Sequence, residues 1–202
     1  MKNLLIIVLG LLMSLKAFAQ HDNHGGTKHE EQSQSKKNDG MKFKENRITT
    51  YRVSTYFQDQ LYAVFNESKQ LTESFISEDP DQVIERAAKV KTMLTNVELD
   101  LLKTPEAQFD WMTYLKEMNT SLDDISKTLN SYAQKIPFSS FNEAFYKSIK
   151  AFGLSGHTVY YRHCPKALDN QGAYWISDTK EIRNPYLEKE MHKCGSIKDI
   201  LD

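Results

Sequence analysis

Apolar side chains return every three or four positions from about residue 50 to residue 152, the period of helices that bury one face. A first helix is expected from about Thr50 to Ser77, with Val53, Phe57, Leu61, Val64, Leu71 and Phe75 as its stripe. Asp79-Pro80-Asp81-Gln82 then reads as a helix start, with Asp79 as cap and Pro80 in the first turn. The second stripe is Val83, Ala87, Val90, Leu94, Val97 and Leu101. Thr104-Pro105-Glu106 repeats the start signal for a third helix, whose expected buried face is Trp111, Met112, Leu115, Met118, Leu122, Ile125, Leu129 and Tyr132. Ile136-Pro137 is expected to break the chain, with Ser140 and Glu143 as a capping box for a fourth helix through Phe141, Phe145, Ile149 and Phe152, ended by Gly153 and Gly156. Short connections make neighbouring helices antiparallel, so the expected packing is an up-down four-helix bundle.

Beyond Gly156 the character changes. His157-Thr158-Val159-Tyr160-Tyr161 and Ala173-Tyr174-Trp175-Ile176 are β-branched and aromatic, and Asp169-Asn170-Gln171-Gly172 between them is turn chemistry. A β-hairpin is expected there, then an irregular C-terminal segment with a last helical turn from Ile197 to Leu201. The fold class is therefore mainly α: an up-down four-helix bundle followed by a short β-hairpin.

The N-terminal residues read differently. Lys2, the apolar run Leu4 to Leu15 and Ala17-Phe18-Ala19 have the layout of a signal peptide over residues 1–19, cut before Gln20. The run is shorter than the roughly 20 residues that span a bilayer. Residues 20–44 are polar and low in apolar content, as in a disordered tail. His21, His24 and His29 in that tail can ligate copper, nickel or zinc loosely, or belong to a solvated linker. Residues 45–202 form the expected domain. The export signal places the protein in the periplasm or outside the cell, with no membrane insertion after cleavage.

Composition narrows the partners. The chain has 26 Lys and Arg against 27 Asp and Glu, a net charge of −1. Loss of the leader with Lys2 and Lys16 makes it more negative still, which gives no reason to expect nucleic acid or anionic lipid. The two cysteines, Cys164 and Cys194, face an oxidising compartment, where a disulfide is open to them.

Candidate chemistry gathers in the last forty residues or so, where His163-Cys164-Pro165 and Met191-His192-Lys193-Cys194-Gly195 hold both cysteines, two histidines and a methionine. Thiolate and thioether sulfur select soft ions, above all monovalent copper, and imidazole accepts copper or zinc. The runs His163-Cys164-Pro165-Lys166-Ala167, Gly172-Ala173-Tyr174-Trp175-Ile176-Ser177, Ile182-Arg183-Asn184-Pro185-Tyr186 and Met191-His192-Lys193-Cys194-Gly195 resemble, in order, the pattern of a family of exported domains of unknown function. The family pattern is Cys-Pro-Met-Ala, Gly-Ala-x-Trp-Leu-Ser, Ile-Arg-Asn-Pro-Tyr and Met-x-x-Cys-Gly. Such domains occur alone or appended to periplasmic adaptor subunits of copper/silver-type heavy-metal efflux pumps. The resemblance is loose over the helices and close over residues 156–197. It implies an efflux adaptor or pump component as partner. Lys166 stands where the family has methionine, which exchanges a soft donor for a cation, and His192 stands where the family often has an apolar residue.

Three function classes follow. The first is a copper-type accessory protein that buffers or hands on metal, with Cys164, Met191, Cys194 and His163 or His192 as ligands and zinc or silver as other possible ions. The second is a disulfide-stapled interaction module without metal. The third, an enzyme, is disfavoured: the chain has no Cys-x-x-Cys, Gly-x-Ser-x-Gly or His-Glu-x-x-His motif and no phosphate-binding glycine loop. Asp123-Asp124 falls on the expected solvent face of the third helix.

Overall fold

A computed structural model describes residues 48–202. The expected signal peptide, residues 1–19, and the tail of residues 20–44 with His21, His24 and His29 lie outside the described residues. Four helices come first: α1 (Thr55–Ile76), α2 (Pro80–Thr95), α3 (Pro105–Ile125) and α4 (Ser131–Phe152). A 3-10 turn, Leu99–Leu101, connects α2 to α3. Each helix packs on its sequence neighbours, and α4 closes the ring against α1. Among the described residues no helix is long and apolar enough to cross a membrane.

The caps explain where the helices begin. The side chains of Ser54, Asp79, Thr104 and Asn130 each accept from the backbone N–H three residues on, satisfying a donor that the first turn leaves free. Asp79 and Thr104 are the caps that the sequence predicts. The fourth helix departs from expectation, because Asn130 starts it ahead of Pro137, which lies inside the helix. A proline there removes one backbone hydrogen bond and would cost a bare helix about 3 kcal/mol. Burial of Gln134, Phe138, Phe141 and Phe145 on both sides of it holds the helix together. The early end of α3 and early start of α4 also expose Leu129 and Tyr132, which the expected third helix would have buried. Met112 is exposed as well, next to the buried Trp111 on the same helix. Asp123 and Asp124 pair with Lys91 and Lys127 at the surface.

The core is aromatic. Trp111 is 1 % exposed and meets Phe57 edge-on at 5.4 Å and Phe152 edge-on at 6.1 Å. Tyr51, on the segment before α1, stacks on Phe152 at 5.4 Å and donates its hydroxyl to Asp110. One ring of α3 therefore joins three parts of the bundle.

A three-stranded antiparallel sheet follows α4, with strands β1 (Val159–Cys164), β2 (Ala173–Ser177) and β3 (Ser196–Leu201) in the order β2-β1-β3. The expected hairpin is present, paired from Tyr160 with Ser177 to Cys164 with Ala173. The expected last helical turn from Ile197 to Leu201 is instead β3. These residues complete the free edge of β1, with a bulge between Tyr161 and Arg162 that obscures the alternation. The outer edge of β2 is closed by side chains. Its Tyr174 and Ile176 N–H groups donate to Ser139 Oγ and Asn142 Oδ1 of α4, and the Tyr186 hydroxyl donates to the Tyr174 carbonyl. Such capping satisfies backbone groups that an edge strand leaves unpaired. β3 is tied to α4 by Asp199, which accepts from the Tyr146 hydroxyl at 2.8 Å and from the Lys150 ammonium at 2.7 Å.

Two predictions follow from this packing. Trp111→Ala empties the meeting point of α1, α3 and α4, and a urea melt should show a loss of about 3–5 kcal/mol. Burial pushes the Asp199 carboxyl up, but Lys150 and Tyr146 pull it down further, and the net value lies below the ordinary one. Its stabilisation is complete above the unfolded value of about 3.9 and is lost as pH falls through the lower folded value. The urea midpoint should therefore drop between pH 5 and pH 3, and drop less in Asp199→Asn; equal drops would contradict the assignment.

Candidate functional site

Cys164 is the last residue of β1 and Cys194 lies two residues before β3, so the two strands that flank each other in the sheet carry the two thiols to the same end. Strand pairing of His163 with Ser196 brings the two side by side, and both are free cysteines. Cys164 has no exposed surface and belongs to the hydrophobic core, whereas Cys194 is partly exposed. The site therefore has a buried inner sulfur and an accessible outer one.

Buried polar side chains and close-fitting backbone hold Cys194 in place. Asn184, fully buried, donates its amide Nδ2 to the Cys194 carbonyl at 2.8 Å and its backbone N–H to the His192 carbonyl at 2.8 Å. Its Oδ1 accepts from the Tyr186 backbone N–H. The Cys194 N–H donates to the Met191 carbonyl at 2.9 Å, closing a tight turn after the 3-10 segment Lys189–Met191. Gly195 takes φ +144°, and a Cβ there would lie 2.7 Å from the Trp175 ring. Only glycine lets the chain pass this close to the indole. An asparagine before a proline is by itself only turn chemistry, and that local meaning does not announce the role of Asn184 in seating the outer thiol. Its one sequence signal is an amide directly before a proline in the Ile-Arg-Asn-Pro-Tyr run.

Arg162, two residues before Cys164, is fully buried and donates to the carbonyls of Thr179 and Glu181. It fastens the segment after β2 beneath the sheet. Arg183 bonds Glu73 of α1 at 2.6 Å at the surface.

On the other side of Cys164 the chain makes a left-handed turn, Ala167–Asn170, in which Leu168, Asp169 and Asn170 have φ of 50°, 55° and 68°. Burial of Ala167 and Leu168 holds this costly conformation. It follows the exposed Lys166.

The expected ligands divide into two groups. Cys164 and Cys194 are together, and Met191 is on the turn that carries Cys194, with a 45 % exposed side chain. His163 is not with them. Neighbours along a strand point to opposite faces, and its ring tilts over Tyr174 at 4.4 Å and covers Gly172. His192 is also elsewhere, lining a hollow of about 390 Å³ with Ser77, Glu78 and Arg183. Among the described residues no three His, Cys, Asp or Glu side chains are grouped so that they could hold a metal ion. Of the five expected ligands the fold brings Cys164 and Cys194 to one end of the sheet, keeps Met191 on the turn before Cys194, and leaves His163 and His192 apart from them. A concavity of about 930 Å³ between α3 and α4 is lined by neither cysteine, histidine nor methionine.

The Cys194 thiol is pushed above its ordinary value, first by its hydrogen bond to Cys164 and then by burial, with Lys166 acting in the opposite direction. It therefore holds its proton at neutral pH more firmly than a free cysteine does. Alkylation by iodoacetamide of the reduced, folded protein should be slow at pH 7, should accelerate as pH rises past about 9, and should reach Cys194 alone. Equal and rapid labelling of both cysteines at pH 7, read by peptide mass, would contradict this arrangement.

A family described as protein of unknown function (DUF3347) matches the chain over residues 64–157. The match covers the helices from within α1 to the end of α4 and stops before the sheet that carries the thiols. No curated protein and no solved structure matches the chain.

Proposed function

We propose that this chain is an exported accessory protein that binds a soft metal ion of the copper type at Cys164 and Cys194, and buffers it or hands it on. The observation that carries the reading is that these two cysteines, thirty residues apart in sequence, are brought side by side at one end of the sheet. Two adjacent sulfurs suit a soft ion far better than an oxygen-seeking one. The partial exposure of Cys194 gives an incoming ion, or a donor protein's thiol, an atom to meet first. Met191 adds a third soft donor at the surface and can join or leave the ion by rotation of its side chain. The leader-like first nineteen residues and the resemblance of the C-terminal runs to domains found with heavy-metal efflux adaptors support an envelope location and an efflux component as recipient.

A second reading is favoured by the same placement. Oxidation would join Cys164 and Cys194 into a staple, stabilising the domain by about 3–4 kcal/mol in the chain-entropy account of loops this long. The chain would then be an interaction module that carries no metal.

Titration of the reduced protein with Cu(I) under anaerobic conditions separates the two. One equivalent should bind in the native chain, and Cys164→Ser should lose that binding. A reduced native protein that takes up no Cu(I), with a mass after alkylation showing a disulfide that forms quantitatively in air, would replace the metal reading by the staple.

A further inference from the structure

We infer that the cavity where β1 meets α3 and α4 binds a small organic dication, a diamine with both nitrogens protonated, through Tyr161, Asp110 and Glu143. The site is separate from the cysteines and stands whether or not they hold a metal.

The cavity has a volume of about 500 Å³, within the range of small-molecule sites. Asp110 and Glu117 of α3, Glu143 and Lys147 of α4 and Tyr161 of β1 are in its wall. Tyr161 points to a ligand. It is 8 % exposed, and its ring stacks with Tyr146 at 3.9 Å and with Tyr174 at 4.9 Å. Tyr146 and Tyr174 do not stack on each other, so they cover opposite faces of Tyr161, and the cavity meets the rim of the ring. The hydroxyls of Tyr51, Tyr146 and Tyr186 donate to Asp110, Asp199 and the Tyr174 carbonyl. That of Tyr161 has no hydrogen-bond partner among the described residues, although a buried phenol ordinarily finds one. Its oxygen is free to accept from a ligand N–H.

Charge decides which ligand that is. Lys147 pairs with Glu117 at 3.1 Å, and the two cancel. Asp110 and Glu143 form no ion pair among the described residues. Asp110 accepts from the neutral Tyr51 hydroxyl at 2.7 Å and keeps its charge. Two uncompensated carboxylates, one from each helix, therefore face the cavity and repel anions. A bare metal ion does not match them, because among the described residues no three His, Cys, Asp or Glu side chains converge closely enough to hold one. A diamine does. Its nitrogens are held apart by a carbon chain, and each brings charge-assisted N–H donors to a different carboxylate. One of them also donates to the Tyr161 hydroxyl, and Ile48 gives the carbon chain an apolar wall.

Calorimetric titration of the native chain with putrescine, a four-carbon diamine, tests the site. Tyr161→Phe keeps the stacked ring and removes only the hydroxyl, and Glu143→Gln changes an exposed residue, so both variants should retain the native urea midpoint. Each should bind putrescine roughly tenfold more weakly, the size of one hydrogen bond involving a charged group. Butylamine, with one nitrogen, should bind the native chain more weakly than putrescine by a similar factor. Glu85→Gln removes the same charge from the exposed face of α2, where Glu85 pairs with Lys89, and should change nothing. Mg²⁺ at the same concentration should leave the diamine bound. No binding of putrescine at millimolar concentration would overturn the inference. So would native-like binding by Tyr161→Phe, an equal loss in Glu85→Gln and Glu143→Gln, or displacement by Mg²⁺.

Discussion

The seam between α4 and β2 is the constraint on which the rest of the architecture depends. Ser139, Asn142 and Tyr186 take the outward backbone groups of β2 as an additional strand would, so the sheet has one fixed seat on the bundle. With β2 held, β1 is held through its ladder, and β3 is held by β1 on one side and by the Asp199 contacts to α4 on the other. Both thiols stand at ends of these strands. The helical bundle thereby fixes the distance between sulfurs that its own sequence does not contain.

This dependence also explains the mixture of residues around the site. Buried polar groups are costly unless bonded. Asn184 gives its side-chain amide, and Arg162 its two terminal guanidinium nitrogens, to backbone carbonyls of the segment that carries the chain from β2 to β3, while the buried Arg162 Nε has no partner. They turn a long irregular stretch into a defined path that delivers Cys194 to Cys164. Gly195 completes the path because a larger residue would strike Trp175.

The legible part of the fold was the part written in local signals. Asp79 and Thr104 announced their helices because a cap acts within one turn of its own position, and the apolar stripes of α1 and α2 reported their buried faces directly. Pro137 misled for the same reason: its local meaning is a helix break, and only the burial of Phe138 and Phe141 by distant partners overrides it. β3 was hidden because strand character in Ser196–Leu201 comes from pairing with β1 across a bulge, a non-local fact. At the site, residue chemistry identified the cysteines, while strand alternation, which decides that His163 turns away from Cys164, required knowing where β1 begins and what lies over its faces. The side-chain bonds of Asn184 had no periodic signature at all.

The central claim is that a soft ion sits between two sulfurs supplied by β1 and the turn before β3. X-ray absorption at the copper edge, on the native chain loaded with one equivalent of Cu(I), looks at that bond set directly. The account predicts a first shell dominated by two sulfur scatterers, with Met191 adding at most a third. A shell of nitrogen and oxygen scatterers, unchanged when Cys164 and Cys194 are both replaced by serine, would contradict it.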